Sequence, residues 1–114
     1  MQEIMMLFRH VPDPSQQPTQ AEIEASIKQW QDWIGGIAAQ GKFVSTNQLS
    51  YEGKSLTADG LISDGPYAEL KEVIGGYIIV KVENWDEATE MAKGCPILAY
   101  GGKVEMRSIV AINI

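Results

Sequence analysis

The sequence predicts a single domain of the α+β class, and three observations predict it. The chain has 114 residues, close to the commonest size of one domain and too short for two independent cores. Its apolar positions change period along the chain, from continuous or alternating runs that suit strands to spacings of three and four that suit helices. The order of these stretches reads strand, helix, strand, a hairpin-like insertion, strand, helix, strand.

Each element follows from its residues. Glu3 to Arg9 holds Ile4, Met5, Met6, Leu7 and Phe8 without a break, so a strand here is apolar on both of its faces. Val11 to Pro18 is rich in Pro, Asp, Ser and Gln. It meets Thr19-Gln20-Ala21-Glu22, a capping-box spacing in which Thr19 and Glu22 satisfy each other's backbone donors. A helix is predicted from Thr19 to Gln40, with Ile23, Ile27, Trp30, Ile34 and Ile37 as one apolar stripe and Gly41 as its stop. Gly35-Gly36 weakens that helix by about 1 kcal/mol per glycine, which predicts close packing against another backbone.

Lys42 to Ser50 and Lys54 to Ser63 read as extended segments around the turn Tyr51-Glu52-Gly53-Lys54, with Asp59-Gly60 suited to a hairpin or bulge. Val73 to Glu83 is the clearest strand: Ile78, Val80 and Val82 share one face, and Tyr77, Ile79, Lys81 and Glu83 the other. Asn84 caps a second helix with Asp86 and Glu87 in its first turn. That helix turns Ala88, Met91 and Ala92 inward until Gly94 and Pro96 stop it. Lys103 to Ile112 reads as a final strand, with Val104, Met106, Ser108 and Val110 opposite Glu105, Arg107, Ile109 and Ala111.

This order is the split βαβ pattern of a ferredoxin-like antiparallel sheet with two helices on one face. Met5, Leu7, Tyr77 and Ile79 then lie on the other face, where a lone chain leaves them to water. A second copy can cover them, which predicts a homodimer whose two sheets form an α/β barrel across a twofold axis. A chain this short buries only about two thirds of its unfolded surface, so association is a useful source of further burial.

Composition narrows the partners. A hydrophobic fraction of 45% without charge blocks or repeats is globular in character. The net charge of −6 and nine scattered Lys and Arg residues exclude a nucleic-acid backbone as partner. The start MQEIMMLFRH is too short and too soon interrupted by charge for a signal peptide. No apolar run approaches the roughly 20 residues of a membrane span, so the expectation is a cytoplasmic protein with no membrane contact. Cys95 is the only cysteine; it can form neither an internal disulfide nor a cysteine metal cluster, and its place before Pro96 predicts a buried structural thiol. No His and carboxylate spacing suggests a metal, and no Gly-rich loop suggests a nucleotide cofactor.

The most unusual segment runs Ser63-Asp64-Gly65-Pro66-Tyr67-Ala68-Glu69-Leu70-Lys71-Glu72-Val73-Ile74-Gly75-Gly76-Tyr77. It resembles the DGPF group of the YCII-related superfamily, whose signature is Asp-Gly-Pro-Phe, a following Glu, Lys-Glu and a Gly pair leading into a strand. Tyr67 replaces the Phe, keeping the ring and adding a hydroxyl. The resemblance extends to the first strand, to Trp30-Gln31-Asp32-Trp33-Ile34-Gly35-Gly36, to Asp86-Glu87-Ala88 with Cys95-Pro96, and to Gly102-Lys103-Val104-Glu105-Met106-Arg107. Met106 and Ser108 stand where the family has Val and Pro. The resemblance implies the dimeric ferredoxin-like barrel and says little about chemistry.

Asp64-Gly65-Pro66 also makes sense as a turn: Asp accepts backbone N–H bonds, Gly takes a positive φ and Pro fixes the next one. Glu69, Lys71, Glu72 and Arg107 supply charge of both signs near the start of a strand. In a cleft, Asp64, Glu69 or Glu72 suits a base, and Lys71 or Arg107 with Asp64 and Tyr67 suits the binding of a small polar ligand. Solvated ion pairs account for the same charges. His10, the only histidine, is the one side chain of the type whose charge ordinarily changes near neutral pH. Some members of the superfamily have a His and Asp pair proposed for acid–base work, with the His in or near the first helix; His10 precedes that helix, so the role is not carried over, and a polar residue closing the first strand is its plainer reading. Trp30 and Trp33 suit core packing, with one ring free to line a pocket or the dimer seam. Two functions fit these residues: a dimer that binds or transforms a small polar molecule beside the Asp64–Tyr67 segment, or a non-catalytic interaction or regulatory module.

Overall fold

The computed structural model describes residues 1–13, 15–60, 62–64 and 72–112, with the backbone alone for 62–64. Strand β1 (Gln2–His10) is followed by helix α1 (Gln20–Ala39) and strand β2 (Phe43–Gln48). Strands β3 (Lys54–Leu56) and β4 (Ile62–Asp64) pair as a separate small hairpin. Strand β5 (Val73–Val82), helix α2 (Trp85–Ala92), a 3₁₀ turn (Pro96–Tyr100) and strand β6 (Lys103–Ser108) follow. The main sheet has the order β2-β5-β1-β6 with every neighbour antiparallel. Strand β5 thus sits between β1 and β2, as the split βαβ pattern requires.

Helix boundaries follow the expected caps. The Glu22 amide donates to Thr19 Oγ1 at 3.1 Å, and the Thr19 amide donates to Glu22 Oε1 at 3.2 Å. Asn84 Oδ1 accepts from the Glu87 amide at 2.9 Å, with Asp86 and Glu87 in the first turn, where negative charge opposes the helix dipole.

Ile4, Met6, Ile78, Val80 and Val82 are completely inaccessible. Trp30, Trp33, Ile34 and Ile37 of α1 and Ala88, Met91 and Ala92 of α2 pack on the same cluster, so both helices cover one face of the sheet. The Trp33 indole N–H donates to the Met91 carbonyl at 3.0 Å and ties the helices together. Met5, Leu7, Tyr77 and Ile79 occupy the opposite face and are half-buried.

Three expectations change. Gly35 and Gly36 are exposed, and a Cβ on either meets nothing within 4 Å; they do not pack against a backbone, because the helix turns its Trp and Ile side chains toward the sheet instead. The α1 stripe is half used, since Ile23 and Ile27 stay 40% and 51% exposed. Strand β6 stops at Ser108 rather than Ile112. Ser108 already lies opposite Ile4 and the Ile109 amide donates to the Glu3 carbonyl, so β1 has almost no backbone left to pair. By itself the chain forms an open four-stranded sheet, not a closed barrel.

Truncating Ile78 to alanine removes a fully buried side chain from the central strand. The expected cost is about 2–5 kcal/mol, read as a lower urea midpoint with an unchanged m-value.

Candidate functional site

A cleft of about 590 Å³ opens between α1 and one end of the sheet. Its size is that of a small-molecule site. Phe8 and His10 come from β1, Ile27, Trp30 and Ile34 from α1, Thr46 and Gln48 from β2, and Gly75 and Gly76 from β5. The unused half of the α1 stripe is therefore a wall: Ile27 borders space instead of packing on the sheet.

The backbone makes this space by a bulge. Phe8 pairs with Gly76 and Arg9 with Ile74, so Gly75 is the extra residue of β5, a bend that re-aims neighbouring side chains. A Cβ on Gly75 would stand 2.9 Å from His10 Cε1 and 3.3 Å from Nδ1, and one on Gly76 would stand 2.8 Å from the Asn47 carbonyl oxygen. Glycine at 75 lets the imidazole lie on the strand; glycine at 76 lets β2 approach β5.

His10 is held from outside the cleft. Its Nε2 shares a hydrogen bond of 2.8 Å with the hydroxyl of Tyr51, which is 61% exposed. Its Nδ1 is buried and has no partner. It packs against Gly75, and an unpaired buried nitrogen carries a free-energy penalty.

The other predicted residues are distributed unevenly. Glu72 directly precedes Val73, the residue paired with His10. One carboxylate oxygen lies 3.2 Å from Lys103 Nζ, and the other, Oε1, is buried without a partner. Arg107 lies opposite Met5 on the sheet face away from the helices, 3.4 Å from Glu105. Glu105 also accepts from Arg9 Nε at 2.7 Å, and that hydrogen bond, ahead of the attraction of Arg107, holds its carboxyl below the ordinary value. The backbone of Asp64 closes β4 opposite Lys54, while its side chain, with Tyr67, Glu69 and Lys71, lies outside the described residues.

Trp30 lines the cleft, and its ring meets Phe8 edge-on with centroids 4.9 Å apart. Cys95 is buried, and burial pushes its thiol up to about 11, which keeps it protonated and inert. Among the described residues, no three His, Cys, Asp or Glu side chains come together to hold a metal ion. No described helix is long and apolar enough to cross a membrane.

The partnership of His10 with Tyr51 spans 41 positions and leaves no local pattern in the sequence. The Gly75-Gly76 pair was the available signal, because glycines inside a strand mark bulges and close approaches.

In a comparison with protein families, the model of the YCII-related domain matches residues 4–113. Among curated proteins no relative matches the chain.

The two glycines predict different losses. Gly76→Ala drives a methyl into the β2 backbone and is expected to cost about 1–3 kcal/mol in urea denaturation. Gly75→Ala meets the movable imidazole instead; it should cost less, and its mark should be a displaced His10 Cε1–H resonance.

Proposed function

The chain belongs to the YCII-related domain family, and we propose that it works as a homodimer that binds a small molecule in the cleft between α1 and the bulged end of β1 and β5. The observation that carries this reading is a cleft of ligand size walled by Trp30, the half-exposed Ile27 and His10. The connection carrying Asp64, Tyr67, Glu69 and Lys71 joins β4 to Glu72, beside the strand position paired with His10. Chain adjacency therefore supports those residues as contacts to the ligand's polar groups, with Glu72 or His10 as the group able to exchange a proton with it.

The dimer is supported by the second face of the sheet. Met5 lies between Ile79 and Arg107, and Leu7 between Tyr77 and Glu105. An apolar centre edged by Glu3, Glu105, Lys81, Arg9 and Arg107 is the composition of a self-complementary surface. Arg107 then belongs to the space between the two sheets rather than to the cleft.

Light scattering at micromolar concentration is expected to return twice the chain mass of 12.5 kDa. Leu7→Glu should return the single mass with helix and strand content intact, and a wild-type monomer sinks the dimer.

For the cleft, the test is a fragment screen read by the His10 ring resonances and by thermal stabilisation. Ile27→Trp fills the space from a half-exposed position and is expected to abolish binding by at least about tenfold while the melting temperature holds. Asp64→Ala and Lys71→Ala should weaken binding without unfolding the chain. A screen without a binder, or binding that Ile27→Trp leaves unchanged, overturns the reading.

A further inference from the structure

Building on the small-molecule reading of the cleft, we infer that His10 is kept masked: the Tyr51 hydroxyl holds the one imidazole nitrogen able to reach a ligand, and the exposed segment from Leu49 to Gly53 is a latch whose release frees it. Tyr51 is thus a positioning residue that acts on the cleft through His10.

Both ring nitrogens are taken. Nδ1 is buried without a partner, and the ring edge that carries it lies on Gly75, where a Cβ would stand 2.9 Å from Cε1 and 3.3 Å from Nδ1. Nε2 shares its hydrogen bond of 2.8 Å with Tyr51, which does not itself line the cleft. His10 therefore borders the cleft without offering it a nitrogen, and an imidazole has no other group that donates or accepts a hydrogen bond.

The latch has a tethered base and a lightly held tip. At the base Gln48 lies opposite Gly76, and the Leu49 amide donates to the Gly75 carbonyl at 2.9 Å, so the segment leaves the sheet at the bulge itself. From Leu49 to Gly53 every residue is exposed, and the Glu52 amide donates within the segment to Ser50 Oγ at 3.3 Å. Among the described residues, the hydrogen bond of Tyr51 to His10 is what ties the tip to the strands.

Energetically this closed form is finely balanced. A single hydrogen bond at an exposed hydroxyl competes with water and stabilises little, whereas a buried nitrogen without a partner costs at least as much. Turning the imidazole off Gly75 hydrates Nδ1 and, once Tyr51 lets go, presents Nε2. A ligand that bonds Nε2 shifts the equilibrium by its preference for that open form. A ligand that touches only the apolar wall of Ile27 and Trp30 leaves the latch shut.

The test is the rate at which diethyl pyrocarbonate acylates the imidazole of the full chain at about pH 8, where an ordinary imidazole is neutral. His10 is the only histidine, so the absorbance of the acylated ring reads one residue. Tyr51→Phe removes the hydroxyl and keeps the ring. It is expected to react about fivefold faster than the wild type, the factor of one net hydrogen bond, and to move the ¹⁵N resonance of Nε2 while circular dichroism shows the fold intact. Gly75→Ala pushes the ring from the other side and should also react faster. Tyr100→Phe removes an exposed hydroxyl that is bonded to Gln29 instead and should match the wild type.

A Tyr51→Phe rate equal to that of the wild type overturns the mask, as does an unmoved Nε2 resonance or an equal rise in Tyr100→Phe. Should Gly75→Ala fail to fold, Tyr51→Phe, at an exposed position, decides alone. None of these measurements needs a cleft ligand. A fragment screen without a binder removes the small-molecule reading and leaves the mask standing; equal rates remove the mask and leave the cleft.

Discussion

Five side chains that no water reaches, Ile4 and Met6 from β1 with Ile78, Val80 and Val82 from β5, lie on the same face of the two strands paired at the centre of the sheet, and every other element is placed by the need to cover them. At about 1.5–3 kcal/mol for each buried side chain, this group contributes roughly 8–15 kcal/mol, an upper estimate of the same order as the net stability of a whole domain. Strands β2 and β6 extend the pair on either side, and α1 and α2 close its apolar face. The register of β1 against β5 is therefore the constraint with the widest consequences, because slipping it by one residue would exchange the buried set for Met5, Leu7 and Ile79.

That register is broken at one place. After Phe8 the pairing steps over Gly75 and resumes with Arg9 opposite Ile74 and His10 opposite Val73. The imidazole lies on this extra residue, and Gly75, His10 and the half-exposed Ile27 border one cleft. A bulge next to a site is a recurrent device for aiming a side chain, and here it aims His10. The same glycine pair that ends regular pairing also lets β2 close in, since Gly76 faces the Asn47 carbonyl. Stability and site thus depend on adjacent positions of one strand.

Much of this architecture was legible in the sequence, because it rests on local signals. The Thr19 and Glu22 capping box and the Asn84 cap mark helix starts within a few residues, and the alternation from Tyr77 to Val82 sets the faces of β5. The Asp59-Gly60 pair also marked a real turn, with Gly60 at φ 88° and its amide bonded to the Thr57 carbonyl. The misreadings have a common physical origin. An apolar stripe announces that a helix has something to cover without saying how far the sheet beneath it reaches, so Ile23 and Ile27 were assigned to a core they do not join. The Gly35-Gly36 pair was read as a packing contact, whereas the contact-demanding glycines are 75, 76 and 102, where a Cβ would come within 3 Å of another residue. Likewise the pairing of His10 with Tyr51 depends on where β2 delivers the chain, which no spacing encodes.

The two faces of β1 explain why its five central residues are all apolar, and they separate two functions that a small domain might otherwise confuse. Ile4, Met6 and Phe8 serve the fold, while Met5 and Leu7 serve whatever meets the open face. The cleft opens on the helix side and is bordered by no residue of the open-face pair. A partner seated on the open face would therefore leave the cleft free. Coupling between the two would have to pass through the short stretch from Leu7 to His10, where alternate residues point to opposite faces and the bulge sits between Phe8 and Arg9. Arg9 carries this one step further. Held by Glu105 on the open face, it is the residue between Phe8 and His10, so a shift on the open face would reach the cleft through a single step of the strand pleat.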